Sequence, residues 1–286
     1  MALQFLVMDG NPRESREKHK AEFGKTTADA YVELIRWLEP SAACVILNGA
    51  DHGSAEADGD LARFDAVVVT GSQLHVQERS LAVTRQLDLM RAVFRAKVPA
   101  FGSCWGMQVA GAAAGGEASR NPQGPEYGFA RRLAPTAGGR RHPLLAGRPP
   151  AYDAPAIHVD AVVKPPPDCD VLASNRTLSL QAAEIRHEGG VFWGVQYHPE
   201  LDLAELSLML RVMAGEVVAE GLCRSESDVR AYAEDLRALH ANPDRADLAW
   251  RHGLDAEVLD PVRRTREIRN FIDHCVKPTK SAHGHA

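Results

Sequence analysis

The chain is expected to fold as an α/β protein: a three-layer, mostly parallel but mixed sheet with helices on both faces, followed by a C-terminal helical extension. Three patterns carry that expectation. Over the first two hundred residues, short apolar strands alternate with helical runs of ten or more, the order of a doubly wound, flavodoxin-like sheet. From about Gly128 to Tyr197 strand follows strand, with Pro and Gly between them, which adds antiparallel strands at one edge. After Gly221 the chain turns helical and rich in charge.

Leu3 to Met8 is apolar and closed by Asp9-Gly10-Asn11, a strand and its turn. Thr27 to Leu38 reads as a helix because Tyr31, Leu34, Ile35 and Leu38 share one face, and Pro40 stops it. Cys44 to Leu47 and Asp65 to Thr70 are further strands. Leu81 to Ala96 is a helix with Leu87, Met90, Val93 and Phe94 at core spacing. Val98 to Phe101 is a strand, and Met107 to Ala114 a helix. The Gly- and Pro-rich stretch from Pro135 to Pro155 is a loop; Arg131, Arg132, Arg140 and Arg141 are expected to be solvated, with contact to an anionic substrate as the alternative. Asp202 to Glu220 is an amphipathic helix that closes a domain spanning 1–221.

A helical extension, 222–276, opens on the Ser225-x-x-Asp228 capping box, and Asp260-Pro261 starts a last helix with Ile268, Phe271, Ile272 and Cys275 on one side. That stripe should pack on the domain or on another protomer. Residues 277–286 are expected to be a disordered tail, with His283 and His285 solvated. Gly24-Lys25-Thr26 imitates the end of a phosphate-binding loop, but His19 stands where that motif needs glycine and no buried strand precedes it.

Composition narrows the function. With 286 residues, 45% hydrophobic and 25% charged, the chain can bury a full core. A net charge of −5 gives no nucleic-acid or membrane-surface signal, and no apolar run reaches the length of a membrane span. Five cysteines, an odd number widely spread, do not make a disulfide framework, and the N-terminus lacks the basic region and cleavage site of a secretory leader. A cytoplasmic location is the expectation. No cofactor and no metal are expected.

The chemistry is carried by Gly102-Ser103-Cys104-Trp105-Gly106. A strand, a glycine-bracketed cysteine and a helix in that order form a thiol version of the nucleophile elbow, with the nucleophile in a strained turn. The following helix points its free N–H groups at the sulfur, which favours thiolate. A buried structural cysteine is the plainer alternative. Further on, a strand from Val191 to Tyr197 runs into His198-Pro199-Glu200. In extended chain, residues i and i+2 project to one side, so the imidazole and the carboxylate can touch. A cysteine nucleophile needs a base, and the base an orienting acceptor; Cys104, His198 and Glu200 supply these roles.

With Gln108 following the elbow, and with His198-Pro199-Glu200, the sequence resembles the class I glutamine amidotransferases of the Cys-His-Glu type over roughly residues 3–215. Thr70-Gly71-Ser72 looks like the family's oxyanion loop, and His158-Val159-Asp160 is similar to the H-x-D segment of stand-alone members. The resemblance implies cleavage of the γ-amide of glutamine, to glutamate and ammonia, through a thioester on Cys104. His198 would shuttle the proton and Glu200 orient it. Backbone N–H groups of Gly71, Ser72 and Trp105 would hold the oxyanion, while Gln108, His158 and Asp160 would bind substrate. Two departures stand out. The loop reads Gly71-Ser72-Gln73 where Gly-Gly-Pro is usual, and Trp105-Gly106-Met107 replaces Leu-Gly-His, so that a bulky Trp105 is expected to reshape the cleft entrance.

Three functions follow. The first is a glutaminase feeding ammonia to a separate synthetase subunit, or acting unaided. The second is a stand-alone hydrolase of γ-glutamyl peptides or amines. The third is a catalytically silent binding protein on the same fold, against which the intact triad argues. A homo-oligomer is left open.

Overall fold

The computed structural model describes residues 2–51 and 61–283. Its parallel strands are β1 (Gln4–Asp9), β2 (Ala43–Asn48), β3 (Ala66–Val69) and β4 (Ala100–Ser103). Helices α1 (Arg13–Phe23), α2 (Thr27–Leu38), α3 (Leu81–Ala96) and α4 (Trp105–Ala113) lie between and after them. Then come β5 (Glu117–Arg120), β6 (Glu126–Pro135), β7 (Tyr152–His158), β8 (Asp160–Lys164), β9 (Cys169–Ser174), β10 (Ala182–His187) and β11 (Gly190–Val195). The C-terminal third holds α5 (Leu203–Val212), α6 (Ala214–Ala219), α7 (Glu226–Ala241), α8 (Ala246–His252), α9 (Ala256–Leu259), α10 (Pro261–Arg264) and α11 (Arg266–Phe271). A π turn (Ile272–Val276) and α12 (Lys277–His283) end it.

Among the described residues the main sheet runs β2-β1-β3-β4-β11-β10-β9-β6-β7, and β5 pairs with β8 apart from it. β2, β1, β3, β4 and β11 are mutually parallel; from β11 to β7 every pairing is antiparallel. The sheet is therefore mixed, and its parallel half has the doubly wound order.

The central strands are apolar on both faces because helices cover both. On one face Phe5, Val7 and Phe101 pack under Tyr31 and Ile35 of α2; on the other, Leu6, Met8 and Val69 pack under Met90 and Val93 of α3 and Met107 of α4. Each fully buried side chain of this size contributes roughly 1.5–3 kcal/mol over an exposed one. A third core joins α5 and α7 to Phe129 and Ile157.

Several expectations are corrected. The stretch from Lys277 is helical through His283, not a disordered tail; Lys277 pairs with Glu39 and Asp273, and Lys280 with Asp65. The side chain of His283, and all of His285, lie outside the described residues. The helix expected over 202–220 breaks at Met213 into α5 and α6. The expected 135–155 loop ends at Tyr152, where β7 begins. Arg131 is not simply solvated, since it pairs with Asp153 at 2.8 Å and donates to His252 and Gly253 carbonyls. Gly24 and Thr26 are caps, the first closing α1 in a left-handed conformation and the second accepting from Asp29 N–H to open α2. The C-terminal stripe packs on this same chain: Ile268, Phe271 and Ile272 share the core of Phe101, Trp193 and Val195.

Candidate active site

The carboxyl ends of β1, β3, β4 and β11 lie at one edge of the sheet, which brings Asn11, the 70–72 turn, Cys104 and His198 together. Parallel strands leave their ligand crevice at that edge. The register places Val195 opposite Ser103 and Val69 opposite Gly102.

Cys104 is the N-cap of α4, with φ +50° and ψ −102°, a backbone conformation that side chains rarely adopt. Its amide donates to the Val195 carbonyl at 2.9 Å, tying the elbow to the strand that delivers His198. The flanking glycines answer to space rather than to φ. A methyl group at Gly102 would stand 2.8 Å from the Gly106 Cα, and one at Gly106 would stand 2.7 Å from the Val69 carbonyl oxygen. Strand, helix and neighbouring strand meet too closely for any side chain.

His198 Nδ1 meets Glu200 Oε1 at 2.6 Å, the i/i+2 contact expected from the sequence. The backbone of His198 is fixed by its amide, which donates to the Pro155 carbonyl at 2.7 Å. Burial works against the imidazolium. The Glu200 carboxylate and, after it, the Cys104 sulfur outweigh that effect and hold the His198 pKa well above the ordinary histidine value. Glu200 Oε1 also accepts from the Ser103 hydroxyl at 2.8 Å, and Ser103 Oγ is itself 2.6 Å from the Tyr31 hydroxyl. Sequence reasoning missed this support. Ser103 lay unremarked inside the pentapeptide, and Tyr31 read as an ordinary core residue.

The turn after β3 abuts the triad: a methyl group on Gly71 would stand 3.0 Å from His198 Cε1. Asn11 staples this turn, its Nδ2 donating to the Gly71 carbonyl and its Oδ1 accepting from the Gln73 amide, both at 3.3 Å. Polar contacts from Asn11 thus stand where the usual motif has proline. Trp105 is not at the cleft entrance. Its side chain is fully buried, and its Nε1 donates to Gln86 Oε1 at 2.8 Å. Gly10 leaves room for that ring, since a methyl group there would meet Trp105 Cδ1 at 2.6 Å. Only the backbone of Trp105 is left to face the sulfur.

A cavity of about 430 Å³ opens over Cys104 and His198, and Gln108, His158 and Asp160 line it together with Gly71 and Ser72. Gln108 is buried and donates from Nε2 to the Asp160 carbonyl at 2.9 Å. Asp160 Oδ2 is held by His75 at 2.7 Å and Gln77 at 3.0 Å. Both His158 ring nitrogens are occupied, Nε2 by Glu126 at 2.8 Å and Nδ1 by the Asp160 carbonyl at 3.1 Å. The ring therefore buttresses the wall. Arg131, Arg132, Arg140 and Arg141 are absent from the lining. Among the described residues no group of three or more His, Cys, Asp or Glu side chains is arranged to hold a metal ion.

A thiol beside a carboxylate-backed imidazole, at a helix N-terminus and next to the 70–72 turn, is the arrangement that cysteine acyl transfer on a doubly wound sheet would require. The family model for glutamine amidotransferase class-I matches residues 28–211, and the chain belongs to that family. A γ-glutamyl-L-1-hydroxyisopropylamide hydrolase from a Pseudomonas species is 32% identical over 97% of this chain and 94% of its own length. A glutamine-hydrolysing GMP synthase subunit from Ignicoccus hospitalis is 31% identical over 51% of this chain and 72% of its own. The crystal structure of a glutamine amidotransferase from Thermotoga maritima has the same fold, with a TM-score of 0.60 at 13% identity, covering 94% of this chain and 99% of that one.

The charge arrangement makes a pH prediction. A raised His198 pKa means that the ring's stabilising charge is fully present below the unfolded value and is lost as pH rises through the folded one. Glu200→Gln removes the largest favourable influence and leaves the Cys104 sulfur to oppose burial, so the ring should lose its proton at lower pH. The alkaline limb of kcat/KM should move down by roughly 1–3 pH units. An unmoved limb in the folded variant would rule out Glu200 as the ring's electrostatic partner.

Proposed function

We propose that this protein hydrolyses γ-glutamyl amides, glutamine being the simplest of them, through a thioester on Cys104. The observation that carries the reading is the contact set of His198, with Glu200 at 2.6 Å behind the ring and the Cys104 sulfur acting on its charge. The Cys104 thiolate attacks the amide carbon, a C–S bond forms, and the carbonyl electron pair moves onto oxygen. Backbone N–H groups of Gly71 or Ser72 and of Trp105 receive that charge, each donor worth a few kcal/mol of barrier. Collapse breaks the C–N bond as His198 passes its proton to the departing nitrogen. Water, deprotonated by His198, then attacks the thioester carbon and returns the thiolate, releasing glutamate.

The stand-alone hydrolase is the favoured version. The similarity to the Pseudomonas γ-glutamyl amide hydrolase runs through the C-terminal helices, whereas the likeness to the GMP synthase subunit stops at about half the chain. In the second version, supported by that likeness, the product is ammonia and its acceptor is a separate synthetase subunit. A cytoplasmic setting suits either; among the described residues no helix is long and apolar enough to cross a membrane.

The test is kcat/KM of the purified protein for glutamine, γ-glutamyl alkylamides and γ-glutamyl peptides, scored by glutamate and amine released. The expected outcome is turnover of at least one class. A folded protein that turns over none of them overturns the reading.

A further inference from the structure

The proton held by His198 must reach the nitrogen of the departing amine. In the γ-glutamyl hydrolase reading, on which this inference rests, that nitrogen faces the His198 flank of the sulfur, and its substituent extends beyond that flank. The order β3-β4-β11 sets the two flanks apart. On the β3 side lie the 71–73 turn and Asp160, the latter held by His75 and Gln77 and joined to Gln108. That side is polar and suits the ammonium and carboxylate of a glutamyl group.

The other flank is different. α5 starts directly after His198-Pro199-Glu200, and Met209, Val212 and Met213 at its far end line the cavity. Phe23 joins them from the end of α1, which the Lys25–Glu205 ion pair at 3.3 Å ties to α5. Glu216 adds a carboxylate that accepts from the Tyr127 hydroxyl at 3.4 Å. From α1 come Glu22 and Lys18, one acidic and one basic. Two flexible thioethers, a valine and a ring make an adaptable apolar surface. The cavity volume falls in the roughly 300–1,000 Å³ range of sites that enclose a whole small molecule.

The geometry points to Met209, Val212, Met213 and Phe23 as the subsite for the leaving amine, selecting a γ-glutamyl amide of a small aliphatic amine, uncharged or cationic, over a γ-glutamyl peptide with a free carboxylate. An aliphatic substituent gains apolar contact there, worth roughly 10-fold or more in kcat/KM for each well-placed methylene. A carboxylate would lie beside Glu216 and Glu22, with a flexible lysine, Lys18, and the His19 ring in place of a bidentate arginine.

The experiment compares γ-glutamyl-isopropylamide with γ-glutamylglycine on the full chain and on two variants. Val212→Lys adds a cation at a half-exposed helix position, 45% accessible, where the core is not disturbed. Glu216→Gln removes the local carboxylate. Wild type should favour the alkylamide by about 10-fold or more. Both variants should shift the ratio toward γ-glutamylglycine, Val212→Lys by about 10-fold. A wild-type preference for γ-glutamylglycine, or a ratio that neither variant moves, overturns the subsite. Labelling of Cys104 by a glutamine-like diazoketone, which has no leaving amine, reports the glutamyl side by itself. Wild type that is labelled and turns over γ-glutamyl compounds without the selectivity refutes this inference alone. Wild type that shows neither labelling nor turnover refutes the hydrolase reading.

Discussion

Cys104→Ala should abolish amine release, lowering kcat on the order of a millionfold, as when the nucleophile is removed from a triad whose members act as a unit. The fold should survive the change. The Cys104 side chain caps nothing; its sulfur makes a weak contact to the Ile157 carbonyl at 3.9 Å and meets the His198 ring. A second substitution separates chemistry from structure. At φ +50°, ψ −102° any residue with a Cβ is strained, at a cost of about 1–3 kcal/mol, whereas glycine adopts such angles freely. Cys104→Gly should therefore be equally inactive yet no less stable than wild type, and more stable than Cys104→Ala in thermal melts. Alkylation gives an independent readout. Burial pushes the Cys169 thiol up to about 11 and the Cys275 thiol up to about 12. Iodoacetamide near neutral pH should therefore modify Cys104 ahead of both and inactivate the protein in step. Substantial turnover by Cys104→Ala, or equal labelling of Cys104, Cys169 and Cys275, would sink the assignment.

The legibility of this site follows from how local its determinants are. Gly102 to Gly106 and His198 to Glu200 are short segments whose function depends on their own backbone, so their residue types announced them. The helices at Thr27–Leu38 and Leu81–Ala96 were readable because each buries one apolar stripe. α1 was not, because none of its residues is buried and its sequence has no apolar period. The supports of the site were hidden for a different reason. Tyr31 meets Ser103 across 72 positions and Glu126 meets His158 across 32, and no local pattern encodes such pairs. Trp105 was misplaced by the same gap: its size suggested the cleft, but the glycine that makes room for its ring lies far away in sequence. The stretch from Lys277 read as a disordered tail because Glu39 and Asp65, which hold Lys277 and Lys280, lie far away in sequence.

Arg148→Ala should destabilise the protein by about 3–5 kcal/mol, because it strands the Glu267 carboxylate in the interior and takes from Glu257 the most buried of its arginine partners, Arg263 and Arg266 remaining. The Arg148 side chain is fully buried; its Nε and Nη2 donate to Glu267 at 2.8 and 2.7 Å, and its Nη1 to Glu257 at 2.8 Å. Glu267 is equally buried, and its Oε1 also accepts from the Tyr197 hydroxyl at 2.9 Å, with Tyr152 on Tyr197 in turn. Attraction to Glu267 outweighs burial and keeps the guanidinium firmly charged. Replacing both partners by apolar residues, Arg148→Met with Glu267→Leu, should cost less than Arg148→Ala alone, since no buried charge is then left without its counter-ion. Because Tyr197 is the residue before His198, this network ties the C-terminal helices to the candidate base. Removing everything after Gly221 should therefore do more than shorten the chain. It would uncover Phe101 and Trp193, leave Arg148 without either carboxylate, and release the Tyr197 hydroxyl. The expected results are a loss of about 10 °C in Tm for Arg148→Ala and an insoluble or inactive truncated chain. A truncated protein that stays soluble with full kcat would show that α7 to α12 are dispensable to the site, and an Arg148→Ala melt within a degree of wild type would show that the buried pair contributes little to the fold.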